Sequence, residues 1–240
     1  MLEYIVPTNI DDRILNRTAK LLSDGALIAL PTDTSWSIVC SIKSRSAIKK
    51  LRKLSGERDE RHFTLLCSSI SQFSEVCKID NSRFRLINRL SPGPYVFILK
   101  TLSGTEKFLD IRRDELGVRI PDYPVPIRLI EILNHPLYSI TAKKSMTGSM
   151  EWDEAEDAHR GTEHKHDLLP TIPEDALFES GWELEDIDGL DLILDCGEER
   201  ERIFSTILDM CDDDIKVLRN GAGQWPIHVR QWLRGFALPA

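Results

Sequence analysis

Five short polar stretches, most of them at the edge of an apolar run, carry the residues able to hold or turn over a ligand. The first is Pro31-Thr32-Asp33-Thr34-Ser35-Trp36, whose hydroxyls and free backbone N–H groups suit a carboxylate or a phosphate. The same residues equally suit an ordinary Asx-type turn. The second, 55–62, brings Arg58, Arg61 and His62, side chains that bind an anion or are simply solvated. The third, Gly117-Val118-Arg119-Ile120-Pro121, sets one arginine inside an apolar run. A cation there needs a partner, from the protein or from a ligand, because burying it alone is costly. The fourth is Ser139-Ile140-Thr141-Ala142, followed by Lys143-Lys144. The fifth joins Ser205-Thr206-Ile207-Leu208-Asp209 to Leu218-Arg219-Asn220-Gly221. The chain contains no GxxxxGK(S/T), GxGxxG, GxSxG or HExxH pattern, which sets aside the chemistries those motifs announce.

The elements that must position these residues are legible in the spacing of apolar side chains. A helix is predicted over 9–24, with Asn9 or Asp11 as its cap and Gly25 as its stop. A buried strand follows at 26–31, then a turn at 32–35 and a strand at 36–41. Next come a basic helix at 44–54, a strand at 63–67 and helices at about 69–77 and 81–90. Ser91-Pro92-Gly93-Pro94 breaks the chain before a strand at 95–100. Strands at 117–121 and 138–142 flank a helix at 125–134, and the last strands fall at 191–195, 205–210 and 215–218. Strands alternate with helices early and follow one another late, which implies an α/β fold with a mixed sheet. In open α/β sheets the ligand groups lie beyond strand ends, where these polar stretches fall.

The whole chain, 240 residues with 41% hydrophobic and 29% charged side chains, has ordinary globular composition. Residues 1–224 are read as one domain, with 147–189 as an acidic surface insertion, and 225–240 as a tail that packs on the domain through Trp225, Trp232, Leu233 and Phe236. His159, His164 and His166 in that insertion are read as part of a solvated loop rather than as a metal site. No apolar run approaches the roughly 20 residues that span a bilayer, and the first residues lack a basic-then-apolar leader. Five scattered cysteines without a CxxC pair suit reduced thiols. Cytoplasm is therefore the expected location, with no membrane partner. The net charge of −8 argues against attraction of nucleic acid to the whole surface. It leaves room for a local basic patch toward RNA, made by Lys43, Arg45, Lys49, Lys50, Arg52, Lys53, Arg58 and Arg61.

The order of the polar stretches is the most specific feature. PTDTSW resembles the PT(E/D)T-x-(Y/W) opening of the YrdC-like family, the threonylcarbamoyl-AMP synthases and their paralogues. SPGPYVFIL is similar to that family's PGPxTxIL, GVRIPDYP to its GVRxPxHP, SITA to S-x-(S/T)-A-N, and STILD with VLRNG to its ending. The resemblance runs in order from about residue 9 to 221, and RHFTLLC is closer to the YciO branch than to the synthases. It implies a twisted, open, mixed α/β sheet with flanking helices and a positively charged concave ligand face. It also implies the synthase reaction. L-threonine, bicarbonate and ATP, with Mg²⁺ held through the phosphates, give threonylcarbamoyl-AMP and pyrophosphate, for modification of adenosine 37 in tRNA. By the resemblance, Thr32, Thr34, Ser139, Thr141 and Ser205 line the threonine side, while Arg119 and Arg219 face the nucleotide phosphates. Ser55 and Glu57 stand where the synthases carry a K-x-R pair, and Arg58 and Arg61 are the substitutes. Lys143 replaces the Asn of S-x-(S/T)-A-N, Glu115 a Thr, and Tyr123-Pro124 the HP pair. Two other classes stay open: a paralogue acting on another nucleotide or small ligand, and a non-catalytic module that binds double-stranded RNA.

Overall fold

The computed structural model describes residues 1–56, 63–105, 109, 114–147 and 173–224. The first helix, α1 (Asp12–Ser23), starts where the Asp11 side chain accepts a hydrogen bond from the Arg13 N–H. Of the two expected caps the chain uses Asp11, because its carboxylate reaches a first-turn N–H. Gly25 takes φ of 94°, a left-handed turn that costs glycine little, and the chain leaves the helix there. α2 (Arg45–Ser55) is capped in the same way by Ser44, and α3 (Ile70–Val76), α4 (Asn81–Leu90) and α5 (Pro124–Leu133) complete the helices described.

Ten strands form one mixed sheet among the described residues. They are β1 (Leu2–Tyr4), β2 (Ile28–Pro31), β3 (Trp36–Ser41), β4 (Thr64–Leu66), β5 (Tyr95–Lys100), β6 (Glu115–Arg119), β7 (Leu137–Thr141), β8 (Leu192–Asp195), β9 (Thr206–Asp209) and β10 (Lys216–Arg219). Their order across the sheet is β1-β8-β2-β3-β7-β4-β6-β5-β9-β10. Parallel pairs (β1·β8, β2·β8, β4·β6, β5·β9) are mixed with antiparallel ones, in agreement with the expected fold class.

Register decides which residues share a face, because paired residues point the same way and neighbours along a strand point oppositely. One face carries Ile38, Cys40, Leu65, Phe97, Val118, Tyr138 and Ile140, and α2, α3 and α4 cover it with Ile48, Leu51, Phe73 and Ile87. Among the described residues the other face is covered by helices only in part. α1 and α5 set Leu15, Leu22, Val125 and Leu129 against Ile28, Leu30, Val39, Leu66, Leu137 and Leu192. Beyond that cluster the same face continues through Ser37, Thr141, Ser139, Thr64 and Gly117, and then through Ile98 and Ile207 toward β10. Small and polar side chains replace leucines there, a floor that the apolar clusters of the described residues do not extend over.

Two differences from expectation concern the ends of the chain's motifs. β1 escapes the apolar pattern because it is three residues long, and its partner β8 lies about 190 residues away. The second concerns the expected insertion. The expected surface insertion 147–189 lies mostly outside the described residues, but its last part, from 173, buries Leu177, Phe178, Leu184 and Ile187. Short 3-10 turns (Glu174–Ala176, Gly181–Asp186) and a capping box between Ser180 and Glu183 shape it, which is why neither helical nor strand periodicity is visible there. The tail 225–240 and His159, His164 and His166 lie outside the described residues. No helix among the described residues is long and apolar enough to cross a membrane. All five cysteines are free thiols.

Candidate functional site

β6 ends at Arg119, which is only 5% exposed and lies at the junction of three of the polar stretches. Its Nη2 donates to Asp33 Oδ1 at 2.5 Å, and its Nη1 donates to Thr34 Oγ1 at 3.0 Å and to Ser205 Oγ at 2.7 Å. Nε donates to the Gly93 carbonyl at 3.3 Å, so the Ser91–Pro94 break contributes as well. Burial pushes the Arg119 guanidinium below its ordinary value, and Asp33 opposes that shift. The lone strand arginine thus finds its partner within the protein, at a distance of 86 positions along the chain.

The turn after β2 is built by its own hydroxyls. Thr32 Oγ1 donates to the Ser35 carbonyl at 2.8 Å, accepts from the Thr34 N–H at 3.2 Å, and lies 3.1 Å from Thr34 Oγ1. All three of Thr32, Thr34 and Ser35 are buried. Asp33 therefore points its carboxylate out of the turn toward Arg119, and its second oxygen, Oδ2, is buried without a hydrogen-bond partner.

Arg219 closes β10 beside this network. A register shift between Val217 and Arg219 re-aims the strand end, as bulges do. Arg219 Nε donates to the Ser205 carbonyl at 3.0 Å and its guanidinium lies 4.8 Å over the Phe204 ring. Ser205 thus holds both arginines, one through its hydroxyl and one through its carbonyl. The Arg219 guanidinium is depressed to about 10, first by burial and then by repulsion from Arg119. Among the described residues it forms no ion pair, whereas Arg119 is paired with Asp33. Gly221 lets the chain return: a Cβ there would lie 2.2 Å from the Phe204 carbonyl oxygen. Thr206 fastens the same segment by accepting from the Gly221 N–H and donating to the Gly223 carbonyl.

The structure therefore brings Thr32, Thr34, Ser205, Arg119 and Arg219 into one connected network. Ser139 and Thr141 stand on the same sheet face, on β7, but outside these hydrogen bonds. Ser139 donates to the Thr64 carbonyl at 3.1 Å, and Thr141 pairs with Ser37. Arg58, Arg61 and Glu57 lie outside the described residues. Ser55, the last residue of α2, donates to the Arg52 carbonyl. Arg119 keeps company with the hydroxyls assigned to the threonine side, whereas the resemblance put it with the phosphates. Asp33 and Arg200 are the residues missed by the sequence reading. Arg200 Nη2 donates to the Thr32 carbonyl at 2.6 Å and the guanidinium lies 4.8 Å over the Tyr123 ring. The only sequence signal for Asp33 is its place between the two threonines, and nothing in the local pattern marks Arg200.

A family model, Sua5/YciO/YrdC, described as "Telomere recombination", matches residues 20–169. The "uncharacterized protein YciO" of Escherichia coli (strain K12) is 28% identical over 221 residues, which cover 92% of this chain and 95% of that protein. The crystal structure of E. coli YciO matches with a TM-score of 0.69 at 26% identity, over 93% of this chain and 97% of that one. The threonylcarbamoyl-AMP synthase of Mus musculus is 27% identical over 128 residues, 53% of this chain and 45% of that protein. The crystal structure of P. abyssi Sua5 complexed with L-threonine shares the fold, with a TM-score of 0.74 at 20% identity over 98% of this chain and 61% of that one.

Proposed function

The chain belongs to the Sua5/YciO/YrdC family, and from that premise we propose that it carries out the threonylcarbamoyl-AMP synthase reaction on the polar sheet face. L-threonine, bicarbonate and ATP would give threonylcarbamoyl-AMP and pyrophosphate, with the product used to modify adenosine 37 of tRNA. The observation that carries the reading is Arg219. It is a half-buried cation whose charge is opposed by that of Arg119, and it lacks an ion-pair partner among the described residues. An anionic ligand offsets both the burial and the repulsion, and guanidinium groups grip phosphate oxygens in two-pronged fashion. The Sua5 that shares this fold is complexed with L-threonine, which supports the amino-acid half of the proposal.

In this reading the two arginines divide the work. Arg119 has four of its five N–H bonds committed inside the protein, so it positions the Thr34 and Ser205 hydroxyls for the amino acid. Arg219 has only Nε committed among the described residues and takes the phosphates. The amine nitrogen of threonine bonds to the bicarbonate carbon with loss of water. A carbamate oxygen then attacks the α-phosphorus, and the bond to pyrophosphate breaks. Such a transfer asks the protein to align the two reactants and to neutralise charge as it develops. Mg²⁺ would supply further charge neutralisation between phosphate oxygens. Such an ion would arrive on the triphosphate with few protein ligands. The test is pyrophosphate release with L-threonine, bicarbonate, ATP and Mg²⁺, each omitted in turn. Release that needs all four supports the reaction, and none from a folded protein refutes it.

One observation favours a second reading, an RNA-binding module. α2 carries Arg45, Lys49, Lys50, Arg52 and Lys53 and no acidic residue, in a chain of net charge −8. Four phosphate contacts along that helix would make affinity for double-stranded RNA fall roughly 100-fold between 50 and 200 mM salt.

A further inference from the structure

We propose that Arg200 is a third cation of the ligand site and contacts an oxyanion of the bound ligand directly; this rests on the ligand reading above. Arg200 lies in the segment that links β8 to β9. Its backbone N–H donates to the Glu179 carbonyl at 2.8 Å, which ties the chain down before the side chain leaves it. The side chain then crosses to the turn after β2, where Nη2 donates to the Thr32 carbonyl at 2.6 Å. The Tyr123 ring, 4.8 Å below, supports the guanidinium. Arg200 is thus held from three directions, by contacts that use one of its five N–H groups.

What is left over points to a ligand. Nε is buried and has no hydrogen-bond partner. Arg200 forms no ion pair among the described residues, and the nearby carboxylate of Glu179 is already engaged by Arg202 at 2.8 Å. A guanidinium laid on an aromatic ring, with only Nη2 engaged among the described residues, is preorganised for a carboxylate or a phosphate. A purely structural tie to the Thr32 carbonyl needs one donor, and an uncharged side chain could supply it. Arg119 is paired with Asp33, whereas Arg219 and Arg200 form no ion pair among the described residues. An anionic ligand suits those two cations. Its oxyanion at Arg200 is either a phosphate of the nucleotide or the carboxylate of the amino acid.

Calorimetric titration of the full chain, wild type against Arg200→Gln and Arg200→Lys, separates these sources. The probes are ATP with Mg²⁺, adenosine, L-threonine and L-threoninamide, each alone. Direct contact predicts that Arg200→Gln weakens one charged ligand at least tenfold and its neutral counterpart less than twofold. Loss confined to ATP against adenosine assigns a phosphate, and loss confined to L-threonine against L-threoninamide assigns the carboxylate. Arg200→Lys, which keeps the charge and loses the fork, should show a smaller loss on the same ligand. Should Arg200→Gln fail to fold, that loss in Arg200→Lys decides the matter. Equal weakening of charged and neutral partners, or no weakening, overturns the proposal while leaving the reaction standing. A wild-type protein that binds none of the four probes overturns the reaction and Arg200's role with it.

Discussion

Removing Arg119 tests whether the network is the structural centre of the site. The Arg119 and Asp33 side chains are 6% and 12% exposed, and Asp33 Oδ2 already lacks a partner. Arg119→Met therefore strands a carboxylate with little access to water and frees two buried hydroxyls, Thr34 and Ser205. Breaking a buried pair from one side costs about 3–5 kcal/mol. In a chain of this size each kcal/mol moves the midpoint by roughly 2–4 °C, so the thermal midpoint should fall by roughly 6–20 °C. Removing both charges together behaves differently, because no ion is then left unpaired. Arg119→Met with Asp33→Leu should recover about 2–3 kcal/mol relative to the sum of the single changes. Thermal melts and urea titrations of the four proteins at neutral pH give the cycle. A cost below about 1 kcal/mol for Arg119→Met, or a double variant that merely adds the singles, would refute the reasoning.

Four further outcomes are expected. Arg219→Ala should weaken ATP binding roughly 10- to 100-fold, the worth of a charged hydrogen bond, while the thermal midpoint moves little; unchanged affinity on titration removes its phosphate role. Thr32→Val keeps the shape but leaves the Thr34 N–H and Ser35 carbonyl unpaired, so L-threonine affinity should fall about tenfold, by calorimetry, with about 1–2 kcal/mol of stability lost. Gly221→Ala forces a Cβ to 2.2 Å from the Phe204 carbonyl oxygen and must displace backbone, so both the melting point and ATP affinity should drop together. An aromatic disulfide reagent at pH 8 should titrate a single thiol, Cys196, within minutes. Burial pushes Cys40 and Cys77 up to about 12 and also raises Cys67 and Cys211. Two or more fast thiols would contradict that packing.

Much of the scaffold was legible because each strand announces itself locally. The apolar runs 36–41 and 95–100 became β3 and β5 with the same ends, and Gly25 stopped α1 as its conformation requires. What local pattern could not show was pairing across the chain. β1 exists through β8, and the buried residues at 177–187 look polar because their 3-10 turns have no helical or strand period. The site divides the same way. The rule that a strand arginine needs a partner held for Arg119, but only the fold identifies that partner as Asp33 and sets Ser205 beside it. The order of the motifs picked out stretches that the fold brings together, and three-dimensional contact sorted them: Arg119 sits with the hydroxyls, Arg219 forms no ion pair among the described residues, and Arg200 enters from a segment with no motif at all.

The most direct test of the central claim is a crystal structure of the protein with L-threonine and a non-hydrolysable ATP analogue. The amino acid should lie against Thr32, Thr34 and Ser205, and phosphate oxygens should lie within hydrogen-bonding distance of Arg219. Ligands bound elsewhere at millimolar concentration, with the Arg119 network and Arg219 untouched, would contradict the account.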